Sequence, residues 1–185
     1  ALGELDRLLL ARPAGHRATV VDLGTGSGAM GLSVVAERPG TEVWLVDRSS
    51  DALAVARANL AGLGMAGGRV RVVEGSWFDA LPTELRGRVD LVVTNPPYVD
   101  AADMAALPDE YRHEPVIALA SGEQGLDAII HILAHAPAHL NPRGALVAEV
   151  GNSHVALAER FPDVPFVWLT SASGDESVFL LSAEE

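Results

Sequence analysis

Asn95-Pro96-Pro97-Tyr98 sets a carboxamide, two ring-locked residues with backbone carbonyls and a phenol in one tetrapeptide. One prescribed string of four occurs by chance in a chain this long only about one time in a thousand. These types suit a planar nitrogen whose lone pair is tied up by conjugation, as in a carboxamide or an exocyclic amine. The Asn95 side-chain oxygen and the Pro96 carbonyl can accept its two N–H hydrogens while Tyr98 packs on the flat face. Bonds that strengthen as the nitrogen turns tetrahedral and cationic stabilise the transition state. Methylating such a nitrogen needs no base beforehand, since the methylated nitrogen is acidic and sheds its proton afterwards. In-line alignment with a sulfonium methyl supplies the rest by proximity.

A donor site is written earlier in the chain. Asp22-Leu23-Gly24-Thr25-Gly26-Ser27-Gly28 follows an apolar run. Its glycines permit positive φ and close ligand approach, with free amides at the helix that follows. No Gly-Lys-Ser/Thr follows, so this is not a phosphate loop. Asp47, with Arg48 beside it, comes about 20 residues later, where a carboxylate accepts hydrogen bonds from both ribose hydroxyls of an adenosine ligand. A tight turn and a solvated carboxylate are the plain alternatives. Ser76-Trp77-Phe78 either packs and reads an adenine ring or belongs to the core, and the sequence leaves both open.

The elements that must hold these groups are legible from periodicity. Leu2, Leu5, Leu8 and Leu9 recur at helical spacing up to Pro13. Strands are predicted at Thr19–Leu23, Glu42–Val46, Val70–Val73, Val89–Thr94, Ala145–Val150, Phe166–Leu169 and Ser177–Leu181. Helices fall after the glycine turn, after Ser49 or Ser50 with an inner stripe of Leu53, Val55, Ala56 and Leu60, over Gly125 to Ala136, and over Val155 to Phe161. Strand-helix alternation predicts an α/β fold with a doubly wound parallel sheet. The last two strands have only Thr170 to Glu176 between them, too little for a crossover helix. The expectation is therefore seven mostly parallel strands with the last pair antiparallel. Asn95 to Tyr98 then sits at the carboxyl end of a strand, the edge where open α/β sheets bind ligands. Residues 99–122 read as a long functional loop.

Composition narrows the partners. The net charge of −12, with 13 arginines and no lysine, argues against sequence-independent binding to nucleic acid. The lack of lysine also removes Schiff-base chemistry, and the lack of cysteine removes thiol nucleophiles and thiolate metal sites. No apolar stretch reaches bilayer-spanning length. No basic-then-apolar signal segment opens the sequence, so the cytoplasm is the expected location. Residues 1–185 are expected to be one catalytic domain, a piece of something longer.

Taken together, Asp22 to Gly28, Asp47 and Asn95 to Tyr98 resemble class I methyltransferases dependent on S-adenosylmethionine, specifically those methylating glutamine side-chain amides in proteins. The run from Asn95 to Met104, Leu107 to Pro115, Leu119 to Gly122, Glu149 to Ser153 and Phe161 to Phe166 looks like the branch acting on a ribosomal large-subunit protein. The sister branch acts on peptide-chain release factors. The resemblance implies a Rossmann-like seven-stranded sheet and S-adenosylmethionine at Asp22, Gly24, Thr25, Gly26, Gly28, Asp47, Arg48 and Ser76 to Phe78. It further implies an Asn95-centred catalytic motif that also lies against the cofactor, and a small helical domain ahead of the catalytic one. Relatives often carry an acidic residue where this chain has Ser76. A DNA adenine-N6 methyltransferase shares the tetrapeptide, but must flip a base and hold phosphates. A cofactor-binding module without catalysis is the non-enzymatic alternative.

Other candidates are weaker. His131, His135 and His139 fall four apart, a spacing that can hold a metal, but Pro137 interrupts the turn and no Glu follows the first His. A solvated helix face is the expectation, with no metal. Glu114 is assigned to the substrate loop beside Pro115, and Glu149 to a strand end near the cofactor.

Overall fold

The computed structural model describes residues 2–10, 12, 15–97, 125–170 and 177–183. Tyr98, the loop 99–122 with Glu114, and the Gly174-Asp175 turn lie outside the described residues. Seven strands form one mixed sheet, ordered across it as Val70–Glu74, Thr41–Asp47, Ala18–Leu23, Val89–Thr94, Leu140–Glu149, Val178–Ser182 and Val167–Leu169. The chain divides into two compact units, residues 1–94, 135–147 and 182–185 in the first and residues 95–134 and 148–181 in the second.

The first unit starts with helix α1 (Leu2–Leu10), followed by β1 (Ala18–Leu23), α2 (Ala29–Glu37), β2 (Thr41–Asp47), α3 (Ser50–Ala61), β3 (Val70–Glu74) and β4 (Val89–Thr94). β1 pairs in parallel with β2 and β4, and β2 with β3. Every residue of β4 is buried, and β1 is buried at all positions but one, so both carry apolar side chains on both faces. Leu5 and Leu8 of α1, Leu32, Val34 and Val35 of α2, and Leu53 and Ala56 of α3 complete the core. Val55, expected on the inner stripe, is 51% exposed. It lies two residues from Leu53, about 200° around the helix, whereas Ala56 lies three away on the same face. Ser49 caps α3, its Oγ accepting from Ala52 N at 3.2 Å.

Polar clamps fix this unit where apolar packing is indifferent to register. The Asp90 carboxylate, at the amino end of β4, accepts from Thr19 N at 2.9 Å, Asn141 Nδ2 at 2.9 Å and Arg12 at 2.8 Å, with His16 Nε2 at 3.1 Å. Arg12 also bonds the Asn141 side-chain oxygen. Arg69 donates to the carbonyls of Val35 and Thr41 at 2.7 and 2.9 Å, holding the end of α2 against the start of β2.

The remaining elements are α4 (Asp127–His135), β5 (Leu140–Glu149), α5 (His154–Arg160), β6 (Val167–Leu169) and β7 (Val178–Ser182). β5 begins five residues before the predicted Ala145. Asn-Pro-Arg-Gly reads as a turn, but the Asn141 side chain bonds Asp90 on one side and accepts from Arg143 N at 2.9 Å on the other, so the chain stays extended through Pro142. In the second unit β6 and β7 are antiparallel, as expected, with Trp168 opposite Phe179. The rings of Phe166, Trp168 and Phe179 pack at centroid distances of 4.9 to 5.6 Å.

Gly31 in α2 tests how tightly the helix lies on the sheet. A Cβ there would clash with Leu45 Cδ2 and meet Val43 Cγ1 at 3.0 Å and Asp22 Oδ2 at 3.1 Å, whereas one at Gly68 meets nothing within 4 Å. Gly31→Ala is expected to lower unfolding free energy by about 1 to 3 kcal/mol through overpacking, and Gly68→Ala to leave it within about 0.5 kcal/mol, both read by urea denaturation.

Candidate functional site

The turn after β1 takes its shape from three left-handed glycines, Gly24 (φ 66°), Gly26 (φ 56°) and Gly28 (φ 82°). Side chains with a Cβ resist that conformation. Five bonds hold the turn. Thr25 N donates to Val46 O at 3.0 Å, Gly28 N to Thr25 O at 2.9 Å, and Thr25 Oγ1 to Asp22 Oδ2 at 2.7 Å. Gly26 N donates to Asp47 Oδ2 at 2.8 Å, and Asn59 Nδ2, from α3, donates to Ser27 O at 2.9 Å.

Asp22 is wholly buried. Its Oδ2 also accepts from Gly31 N at 2.9 Å, so one oxygen ties the turn to the first coil of α2. Its Oδ1 is buried with no partner among the described residues. Burial pushes this carboxyl up to about 6, against the opposing bonds from Thr25 and Gly31, and the charge of Asp47 adds to the rise. A buried carboxylate with a bare oxygen favours a cationic or hydrogen-bond-donating neighbour.

Asp47 ends β2, half-buried, with Oδ1 accepting from Ser49 N at 2.8 Å as Oδ2 accepts from Gly26 N. Each oxygen keeps a second lone pair, so the carboxylate is held in one pose with two acceptor sites left. Arg48 and Ser76 are exposed. Beyond β3, Trp77 has φ 46°, a conformation that costs a non-glycine residue about 1 to 3 kcal/mol. Its ring lies over the turn, 3.4 Å from where a Cβ on Gly24 would be. Phe78 is 3% exposed and stacks on His139 at 4.5 Å, so its ring belongs to the core and Trp77 alone of the pair borders the turn. His139 is likewise buried, not on a solvated face, with Nδ1 3.1 Å from His135 O. Among the described residues no group of three His, Cys, Asp or Glu is placed to hold a metal.

At the end of β4, Thr94 stands opposite Leu23 in the β1 ladder and its hydroxyl donates to Leu23 O at 2.8 Å. The tetrapeptide begins at the next residue. In the second unit, Asn95 is exposed, Pro96 buried and Pro97 half-buried, and Glu149 is half-buried at the end of β5. Neither Thr94 nor Asn59 was singled out from sequence. A hydroxyl amid Val, Leu, Val and Val was the available signal for the first, and an exposed helical Asn gave none for the second.

Within the first unit, then, Asp22, Gly24, Thr25, Gly26, Gly28, Asp47 and Trp77 converge on the carboxyl edge of β1, β2 and β3. The edge fits an adenosine-bearing ligand. Gly26 has open space where a Cβ would stand, Asp47 has paired acceptor sites for a cis-diol, and Asp22 has its bare oxygen. The family model described as the methyltransferase small domain matches residues 5–109. The chain belongs to this family. Among similar proteins of the methyltransferase family, the ribosomal protein uL3 glutamine methyltransferase of Neisseria gonorrhoeae is 42% identical over 165 residues, covering 89% of this chain and 54% of that protein. The protein of the same name from Francisella tularensis is 42% identical over 167 residues, covering 90% and 52%. The chain thus spans about half the length of these relatives. The hMettl16 catalytic domain superposes with a TM-score of 0.64 at 18% identity, over 91% of this chain and 65% of that one. A methyltransferase from Pyrococcus furiosus gives 0.62 at 17%, over 97% and 82%. These two likenesses carry the fold, the seven-stranded class I methyltransferase sheet.

Asp22 makes a pH signature. Unfolded, its carboxyl titrates near the ordinary 3.8, and folded near 6, so between those values the folded chain keeps a proton that the unfolded chain has lost. Stability from this group therefore falls as pH rises from about 4 to about 6 and is level above, by an amount on the order of 3 kcal/mol at most. Asp22→Asn removes the slope. The variant's stability relative to the parent is expected to climb by up to that amount between pH 4 and 6.5 and then stay flat, in urea titrations across a pH series.

Proposed function

We propose that this protein transfers a methyl group from S-adenosylmethionine to the side-chain amide nitrogen of a glutamine in ribosomal protein uL3. The observation that carries the reading is 42% identity over 89% of the chain to proteins of that name. The location of Asn95-Pro96-Pro97 directly after Thr94, the residue opposite Leu23, supports it. The cofactor supplies an electrophilic methyl on a sulfonium sulfur.

The chain's own residues do the rest. Asp47, held by two backbone amides, takes the ribose hydroxyls, and the glycine turn admits the ligand against the backbone. Asp22, wholly buried, acts from behind the turn: it holds Thr25 and Gly31 in place and would add negative potential near the positively charged end of the ligand. The Asn95 side-chain oxygen and the Pro96 carbonyl accept the two amide hydrogens of the glutamine, orienting the nitrogen lone pair. As the nitrogen becomes cationic these two bonds shorten and strengthen, which lowers the barrier without a base. Pro96 and Pro97 fix the backbone that carries these acceptors. We assign Tyr98 to the flat face of the amide, Glu114 to the substrate loop and Glu149 to the cofactor's vicinity, with all of residues 1–185 as catalytic domain. The compartment that fits this acceptor is the cytoplasm.

The test is incubation with labelled S-adenosylmethionine and, separately, purified uL3 and a release factor, followed by mass spectrometry of each. One added methyl on a uL3 glutamine supports the reading, and methylation of the release factor alone overturns the acceptor. No cofactor binding by calorimetry overturns the whole. Asn95→Ala is expected to lower kcat by about 100-fold or more while cofactor Kd stays within about threefold.

A further inference from the structure

We propose that Thr94 is a positioning residue for the transfer reaction, its hydroxyl fixing the point from which Asn95 leaves the sheet; this rests on the role given to Asn95 above. β4 is buried along its whole length, and Thr94 is 2% exposed. Valine has the same shape as threonine and no hydroxyl to desolvate, so burial alone favours valine here, as at Val92 and Val93. The hydroxyl is kept because it is bonded, to Leu23 O at 2.8 Å.

That bond joins the last paired residues of the two strands that carry the chemistry. Leu23 and Thr94 form the final rung of the β1–β4 register, Gly24 opens the cofactor turn one residue on, and Asn95 opens the tetrapeptide one residue on. Parallel strands are held together by backbone N–H groups, and Pro96 and Pro97 have none. A strand side chain ordinarily stands perpendicular to the sheet. Here it reaches sideways to the neighbouring main chain and supplies a rung that the prolines cannot. A misplacement of about 1 Å at a reacting group can cost a hundredfold in rate, so a tie one residue before Asn95 has leverage on catalysis that the same bond mid-strand would lack.

The experiment compares Thr94→Val, which keeps shape and removes the hydroxyl, with Thr94→Ser, which keeps the hydroxyl. At saturating cofactor and with uL3 as acceptor, Thr94→Val is expected to lose about tenfold or more in kcat with acceptor KM within about threefold, and Thr94→Ser to retain kcat within about threefold. A purely stabilising bond would instead lower Tm and leave the kcat of folded protein unchanged, which overturns the proposal. So does an equal loss in Thr94→Ser, the decisive arm should Thr94→Val not fold. The NMR order parameter of the Asn95 amide is expected to fall in Thr94→Val and not in Thr94→Ser. If the parent protein methylates neither acceptor, the functional reading fails, and an unchanged order parameter in Thr94→Val then overturns the positioning role independently.

Discussion

The Asp22 carboxylate is the constraint around which the candidate cofactor edge is built. It sits at the end of β1 with no exposed surface, and a single oxygen holds both the glycine turn, through Thr25, and the start of α2, through Gly31. Burying that charge is unfavourable, as its raised titration records. The burial of Val20, Val21, Leu45 and Leu91 in the same strands of the sheet offsets the cost. In exchange the chain gains a turn of three left-handed glycines that does not wander. The same close packing leaves no room for a side chain at Gly31, because α2 must come near enough for its amide to reach the carboxylate.

A second consequence concerns register. The apolar runs of β1 and β4 satisfy burial on both faces, so a slipped pairing would bury nearly as much surface. Polar ties distinguish the native alignment. At the amino end, Asp90 bonds Thr19 N of β1 and Asn141 of β5. At the carboxyl end, Thr94 bonds Leu23 O. A one-residue slip would leave a buried carboxylate and a buried hydroxyl without these partners, and each such loss is costly in a low-dielectric interior.

This explains what could be read from the sequence. Continuous apolar runs ending in glycine, aspartate or proline mark β1, β2 and β4 because burial and turn chemistry are local signals. The glycine turn and Asp47 are legible for the same reason, since φ > 0 demands glycine and the strand end is marked by a change in polarity. The start of β5 was not legible, because Asn141-Pro142-Arg143-Gly144 carries turn chemistry that the distant Asp90 overrides. Trp77 and Phe78 were equivalent as sequence. They are separated by a left-handed backbone at Trp77, which sends one ring over Gly24 and the other onto His139, a residue 61 positions further along. His139 itself looked like surface because the proline after Ala136 hides how the chain turns back into the core.

The charge balance takes on a sharper meaning once the arginines are located. With no lysine, every fixed cation is a guanidinium, and several are committed internally. Arg12 serves Asp90 and Asn141, Arg69 serves the carbonyls of Val35 and Thr41, and Arg38 pairs with Asp6, lowering that carboxyl's titration. A guanidinium suits such work, with several donors in a rigid fork. Cations used this way do not track a phosphate backbone, whose binding draws on mobile, accessible charge. These three arginines are thus withdrawn from any such cationic surface, and the net charge of −12 weighs against it further. On the proposed reading, a planar amide on a protein, presented to acceptors on Asn95 and Pro96, asks for no such surface. The chemistry of the tetrapeptide suits a carboxamide and an exocyclic amine alike, so it is the electrostatics of the chain that tip the proposed reading toward a protein amide and away from a base on a phosphate backbone.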